Sequence, residues 1–108
     1  MDLAQKKCIP CEVGGPPLPV QNAEALLKSI DGWTLWPGAR AISKEFTFPD
    51  FKTAFDFVAK VATAAEEEGH HPDIALSWGR VEIELSTHAV QGLSENDFIL
   101  AAKIDSLR

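Results

Sequence analysis

The sequence predicts an α+β domain, a four-stranded antiparallel sheet with helices packed on one face, and three observations carry that expectation. Stretches with period-two apolar alternation come in pairs joined by short turn signals, the pattern of hairpins rather than of crossover units in a parallel sheet. Between and beyond those stretches lie segments whose apolar residues recur at helical spacing. The chain has 108 residues, 45% of them hydrophobic and 24% charged, which suits one modest core rather than two.

Taken in order, residues 1–19 read as a flexible N-terminal arm, rich in proline and glycine through GGPPLP, and residues 20–108 as the folded domain. NAEALLKSIDGW predicts a short helix with Asn22 as N-cap, Leu26, Leu27 and Ile30 on one side and Gly32 as its stop. Residues 33–36 and 41–48 read as two strands separated by Pro37-Gly38, with Ile42, Phe46 and Phe48 on one face and Lys44 interrupting it, as at an edge. Phe51, Phe55, Val58, Ala62 and Ala65 then recur at helical spacing and predict the main amphipathic helix over residues 50–68, with Pro49 and Asp50 suited to its start.

Ile74, Leu76 and Trp78, followed by Gly79-Arg80 and then Val81, Ile83 and Leu85, predict a hairpin with glycine at the first turn position. In that register Trp78 opposes Val81, Leu76 opposes Ile83 and Ile74 opposes Leu85. Extended further, it sets His71 across from His88, although Pro72 cannot donate to the ladder. Ser94-Glu95-Asn96-Asp97 resembles a capping box with Asp in place of Glu, opening a last helix along which Leu100, Ile104 and Leu107 line up.

Charge and composition exclude several classes. Ten basic against 16 acidic side chains give a net charge of −6, so the surface repels phosphate backbones and anionic lipids, and no nucleic-acid or membrane partner is expected. Apolar stretches fall short of the ~20 residues that span a bilayer, and the N-terminus lacks a signal-peptide core, so the expected location is cytoplasmic. The two cysteines, Cys8 and Cys11, are too few for a disulfide scaffold or a complete zinc site and read as reduced thiols in the arm.

Chemistry concentrates in EEEGHHP, residues 66–72, which holds two of the chain's three histidines. Each member has a plain structural use. Gly69 ends a helix in the left-handed conformation and Pro72 prevents continuation, while three carboxylates in a last turn oppose the helix dipole and call for compensation that a nearby imidazolium can supply. Yet imidazoles are the side chains that exchange protons near neutral pH, and their spacing relative to other polar residues is informative.

That spacing runs Glu66, three residues, His70-His71-Pro72, five residues, Trp78, nine residues, His88, eight residues, Asp97. It resembles the signature of the pterin-4a-carbinolamine dehydratases, and FPDFKTAFDFVAKVATAAEEEGHHP and VEIELSTHAVQGLSENDFILAAKI resemble that family's central helix and its strand-to-helix segment. The resemblance covers roughly residues 20–106. Gly69 departs from the acidic residue that many relatives carry there, which leaves open whether Glu66 or nothing supplies a carboxylate partner to the neighbouring histidine.

The resemblance implies a hydro-lyase that dehydrates 4a-hydroxytetrahydropterin to the quinonoid dihydropterin, in support of tetrahydropterin recycling, with neither metal nor organic cofactor. It implies His70, His71 and His88 as proton-transfer residues, with Glu66, Pro72, Trp78 and Asp97 binding or orienting, and a homo-oligomer, dimer or tetramer. Two alternatives travel with it: a non-catalytic dimerization cofactor of the kind one animal member serves for a transcription factor, and a related enzyme of molybdopterin metabolism.

Overall fold

The computed structural model describes residues 3–5 and 17–108. The arm's two cysteines, Cys8 and Cys11, lie outside the described residues. Its elements are α1 (Val20–Leu27), β1 (Thr34–Leu35), β2 (Ile42–Thr47), α2 (Phe51–Glu68), β3 (Asp73–Ser77), β4 (Arg80–Leu85) and α3 (Glu95–Leu107), with short 3₁₀ turns at Leu3–Gln5, Pro37–Ala39 and His88–Val90. The strands form one antiparallel sheet in the order β1-β2-β4-β3, the α+β arrangement expected. Among the described residues no helix is long and apolar enough to cross a membrane.

The sheet's alternation places its apolar face inward. Val81, Ile83 and Leu85 of β4 and Ile42 and Phe46 of β2 are buried, while Glu82 and Glu45 between them are exposed. Lys44 shares the inward face without disrupting it. Its ammonium lies 2.8 Å from Asp105 of α3, donates to the Asp31 carbonyl at 2.6 Å and sits 4.8 Å from the centre of the Phe46 ring, so its stem covers apolar surface while its head is paired. Beyond Ser43, β2 has no β1 partner on that side.

Three expectations are corrected. The first helix begins at Val20 behind Pro19, so Asn22 lies inside it and is not the N-cap, and it stops at Leu27, well before Gly32. The main helix is capped as expected by Asp50, which accepts from Thr53 N at 2.8 Å and from the Thr53 hydroxyl at 2.6 Å; these two donations hold the Asp50 carboxyl below its usual value. Its buried stripe, however, is Ala54, Phe57, Val61 and Ala65, not the stripe containing Phe51 and Phe55, which are 47% and 50% exposed. Phe57 decides the rotation, with its ring 4.8 Å from Phe46 and 5.1 Å from Phe48.

The hairpin register is the third correction. Ser77 opposes Arg80, Leu76 opposes Val81 and Ile74 opposes Ile83, so the turn is Trp78-Gly79 and glycine takes its second position, at φ 70°. A Cβ on Gly79 would lie 3.0 Å from the Phe48 carbonyl oxygen, and the Gly79 carbonyl accepts from Phe48 N at 2.8 Å. Packing against the end of β2 therefore fixes which residues turn. A slip of two leaves every side chain on its predicted face, but it removes the direct opposition of His71 and His88. Neither histidine lies within a strand, and His88 opens a 3₁₀ turn.

Candidate active site

The site grows from the end of α2. Gly69 adopts the left-handed conformation at φ 65°, the helix-stopping role its sequence context suggests. Pro72 follows three residues later and β3 begins at Asp73. The two histidines in this bend have opposite surroundings. His70 turns inward, its side chain 12% exposed and its Nε2 2.6 Å from Asp97 Oδ1. His71 faces solvent, 61% exposed, with Nε2 3.2 Å from Oε1 of Glu66, itself 79% exposed.

Asp97 is the hub. It is the third residue of α3, fully buried, and its second oxygen accepts from Ser94 N at 3.0 Å, which is the capping reach the sequence suggests. That same oxygen accepts from the Thr87 hydroxyl at 2.7 Å. One carboxylate thus serves three partners: a helix start, a threonine and an imidazole. Because a carboxylate only accepts, the His70 contact is donation from Nε2–H, which leaves Nδ1 as the ring's acceptor when the imidazole is neutral.

His88 is exposed and follows Thr87 directly. The loop that carries it is closed at its base by Thr87 N donating to the Gly92 carbonyl at 2.7 Å, with Gln91 left-handed at φ 56°. The structure therefore assembles His70, Asp97 and Thr87 with His88 one residue away, and places His71 and Glu66 on the solvent side of the same bend. Pro72 sits at the junction of the bend and β3. Trp78 is not brought to this group within one chain: it lies at the tip of the hairpin, 72% exposed, beyond the far end of a five-residue strand that spans about 17 Å.

The acidic last turn of α2 finds its compensation in two places. Glu66 meets His71, and Glu68 lies 3.8 Å from Lys103 of α3. Among the described residues no group of three or more His, Cys, Asp or Glu side chains is arranged to hold a metal ion. Thr87 and Ser94 are the site neighbours that sequence reasoning missed as such. Ser94 is visible only as a helix start, and Thr87 carries no signal beyond standing before a histidine.

Fold and site together define a small α+β domain that presents one imidazole locked to a buried carboxylate, with an exposed histidine next to it in the chain and another next to Thr87. Residues 16–107 match the family model described as Pterin 4 alpha carbinolamine dehydratase, and the chain belongs to that family. It is 47% identical over 105 residues to a protein of Methylococcus capsulatus, covering 97% of this chain and 92% of that one. It is likewise 47% identical over 107 residues to a protein of Halorhodospira halophila, covering 99% and 98%; both relatives bear the dehydratase name on a provisional basis. Among solved structures, the transcriptional coactivator/pterin dehydratase of Brucella melitensis superposes with a TM-score of 0.80 at 36% identity, over 84% of this chain and 97% of that one. A pterin dehydratase-like protein identified as a RuBisCO assembly factor in the alpha-carboxysome superposes with a TM-score of 0.61 at 26% identity, over 70% and 88%.

Proposed function

We propose that the protein dehydrates 4a-hydroxytetrahydropterin to quinonoid dihydropterin and water by histidine acid/base catalysis, in the service of tetrahydropterin recycling. The reaction breaks the bond between the ring carbon and its hydroxyl and removes a proton from the neighbouring ring nitrogen, leaving a C=N double bond. A protonated imidazole gives its proton to the departing oxygen, and a neutral imidazole takes one from the nitrogen. Family membership supports the substrate class. The observation that carries the chemistry is the 2.6 Å contact between His70 Nε2 and the fully buried Asp97, which holds one ring in a single tautomer with Nδ1 as acceptor. His71 and His88 are the partners for the opposite transfer, Glu66 orients His71, and Pro72 sets the bend.

The test is direct. Purified protein should accelerate dehydration of freshly generated 4a-hydroxytetrahydropterin and keep its rate after exhaustive chelation, because the groups invoked are imidazoles. Rate enhancement that disappears with the chelator, or that never appears, ends this reading.

We further propose that the chain acts as a dimer or tetramer. Phe51 and Phe55 leave an apolar stripe on α2, and Trp78 is more exposed still, surface that a chain of this size gains by covering. In such an assembly Trp78 can wall a pterin bound to a partner copy, which it does not reach within one chain. Sedimentation at micromolar concentration should show the oligomer; a strict monomer with full activity removes it.

A further inference from the structure

We infer that Thr87 is a positioning residue of this site, setting the orientation of His70 through Asp97 with its side chain and the placement of His88 with its backbone. The inference deepens the dehydratase reading and rests on it for its kinetic consequence. Its geometric content stands independently, in the imidazole of His70.

Thr87 is 4% exposed, and its hydroxyl has two partners, Asp97 Oδ2 at 2.7 Å and Ser94 Oγ at 2.7 Å. A hydroxyl owns one proton. Asp97, as a carboxylate, can only accept, so the Thr87 proton is committed to it and the Ser94 hydroxyl must donate to Thr87. The hydrogen bonds therefore run in one direction, from Ser94 to Thr87 to Asp97, and meet the donation from His70 Nε2 on the opposite oxygen. Each donor polarises the next in so dry a place. With Ser94 N on the same oxygen as Thr87, the carboxylate plane is pinned on one side, so Oδ1 is aimed at His70 rather than free to rotate away.

The backbone of the same residue does the second task. Thr87 N donates to Gly92 O at 2.7 Å, and the Thr87 carbonyl accepts from Val90 N at 3.1 Å, which closes the loop that begins with His88. A Cβ on Gly92 would stand 2.8 Å from Pro17 Cβ, so the base of that loop packs closely against Pro17. Two histidines 18 positions apart in sequence, His70 and His88, thus take their placement from one threonine. A merely structural Thr87 needs only its methyl and its backbone. The committed hydroxyl proton is what distinguishes the two roles.

Thr87→Val keeps the branched shape and removes the hydroxyl, whereas Thr87→Ser keeps the hydroxyl and removes the methyl. With the folded proteins, Thr87→Val should lower kcat by ~10-fold or more with KM nearly unchanged, on the scale that a misplaced reacting group loses. Thr87→Ser should recover most of it. Nitrogen-15 shifts of the His70 ring should report the Nε2–H tautomer in the wild type and in Thr87→Ser, and a mixture with the Nδ1–H form in Thr87→Val. In an Asp97→Asn background, Thr87→Val should add little further loss, because both changes act on one unit. A folded Thr87→Val protein with wild-type kcat and an unchanged His70 spectrum overturns the inference, and so does Thr87→Ser impaired as badly as Thr87→Val. If Thr87→Val does not fold, a wild-type His70 ring lacking the Nε2–H tautomer overturns it equally. A wild type without turnover whose His70 tautomer still shifts in Thr87→Val keeps the positioning and discards the dehydratase reading.

Discussion

His70 and His71 are joined by one peptide bond, and each meets a carboxylate, yet the two pairs belong to different physical regimes. The inner pair is at 2.6 Å with side chains 12% and 0% exposed; the outer is at 3.2 Å with side chains 61% and 79% exposed. Inside, few waters compete, so the hydrogen bond is strong and a broken one is expensive. Outside, solvent screens the charges and the long Glu66 side chain must be ordered to reach, so the contact contributes little. Adjacent residues of one type can therefore divide the work, one built into the fold and one free to respond to whatever arrives from solvent.

The largest test of this division is Asp97→Ala. It removes the carboxylate that accepts from the Thr87 hydroxyl, from Ser94 N and from His70, so denaturant unfolding should show a loss of about 3 kcal/mol together with near-complete loss of turnover. Next come the paired alanine variants. Each of His70→Ala and His71→Ala should lose ~10²-fold in kcat, the scale of a positioned acid or base. Only His70→Ala should also lose stability, by about 1 to 2 kcal/mol, against less than ~0.5 kcal/mol for His71→Ala; equal stability losses would break the comparison. Glu66→Gln should change the rate by less than ~3-fold, in keeping with an exposed pair.

The smallest effect on turnover belongs to a carboxylate remote from the histidines. Asp50→Ala should leave the rate unchanged and lower Tm, since it removes the cap of α2. Thr53 holds the Asp50 carboxyl below its ordinary value, so this stability is present above the unfolded-state pKa and is lost as pH falls through the folded-state one. The gap in Tm between variant and wild type should therefore close in acid. A gap that persists unchanged at the acid end would show that the charge plays no part in the cap.

These contrasts also mark what the sequence could disclose. The element order, the single sheet, the inward faces of β2, β3 and β4 and the stop at Gly69 were legible, because they follow from local period and turn chemistry. The stripe of α2 that faces inward was not. The helix carries two apolar stripes, and packing against α3, β3 and β4 together with the rings of Phe46 and Phe48 selects the one with Phe57. Likewise the hairpin turn was displaced by contacts with Phe48 that local rules do not contain. At the site, spacing singled out Asp97 and His70, but their contact spans 27 positions, and the hydroxyl that joins them to Thr87 has no periodic signature at all.

The double duty of Asp97 sets a trap for anyone wishing to make the protein sturdier. Read locally, Ser94 to Asp97 is a slightly imperfect helix start, and routine optimisation would write Glu at position 97, the residue that usually completes the motif. Here that edit inserts a methylene at a fully buried position, at a typical cost of about 1 to 3 kcal/mol, and drives the carboxyl into the imidazole it is meant to hold. An apparent flaw in capping is the form that a shared site takes, and a library screened for thermal tolerance should return Asp rather than Glu at position 97.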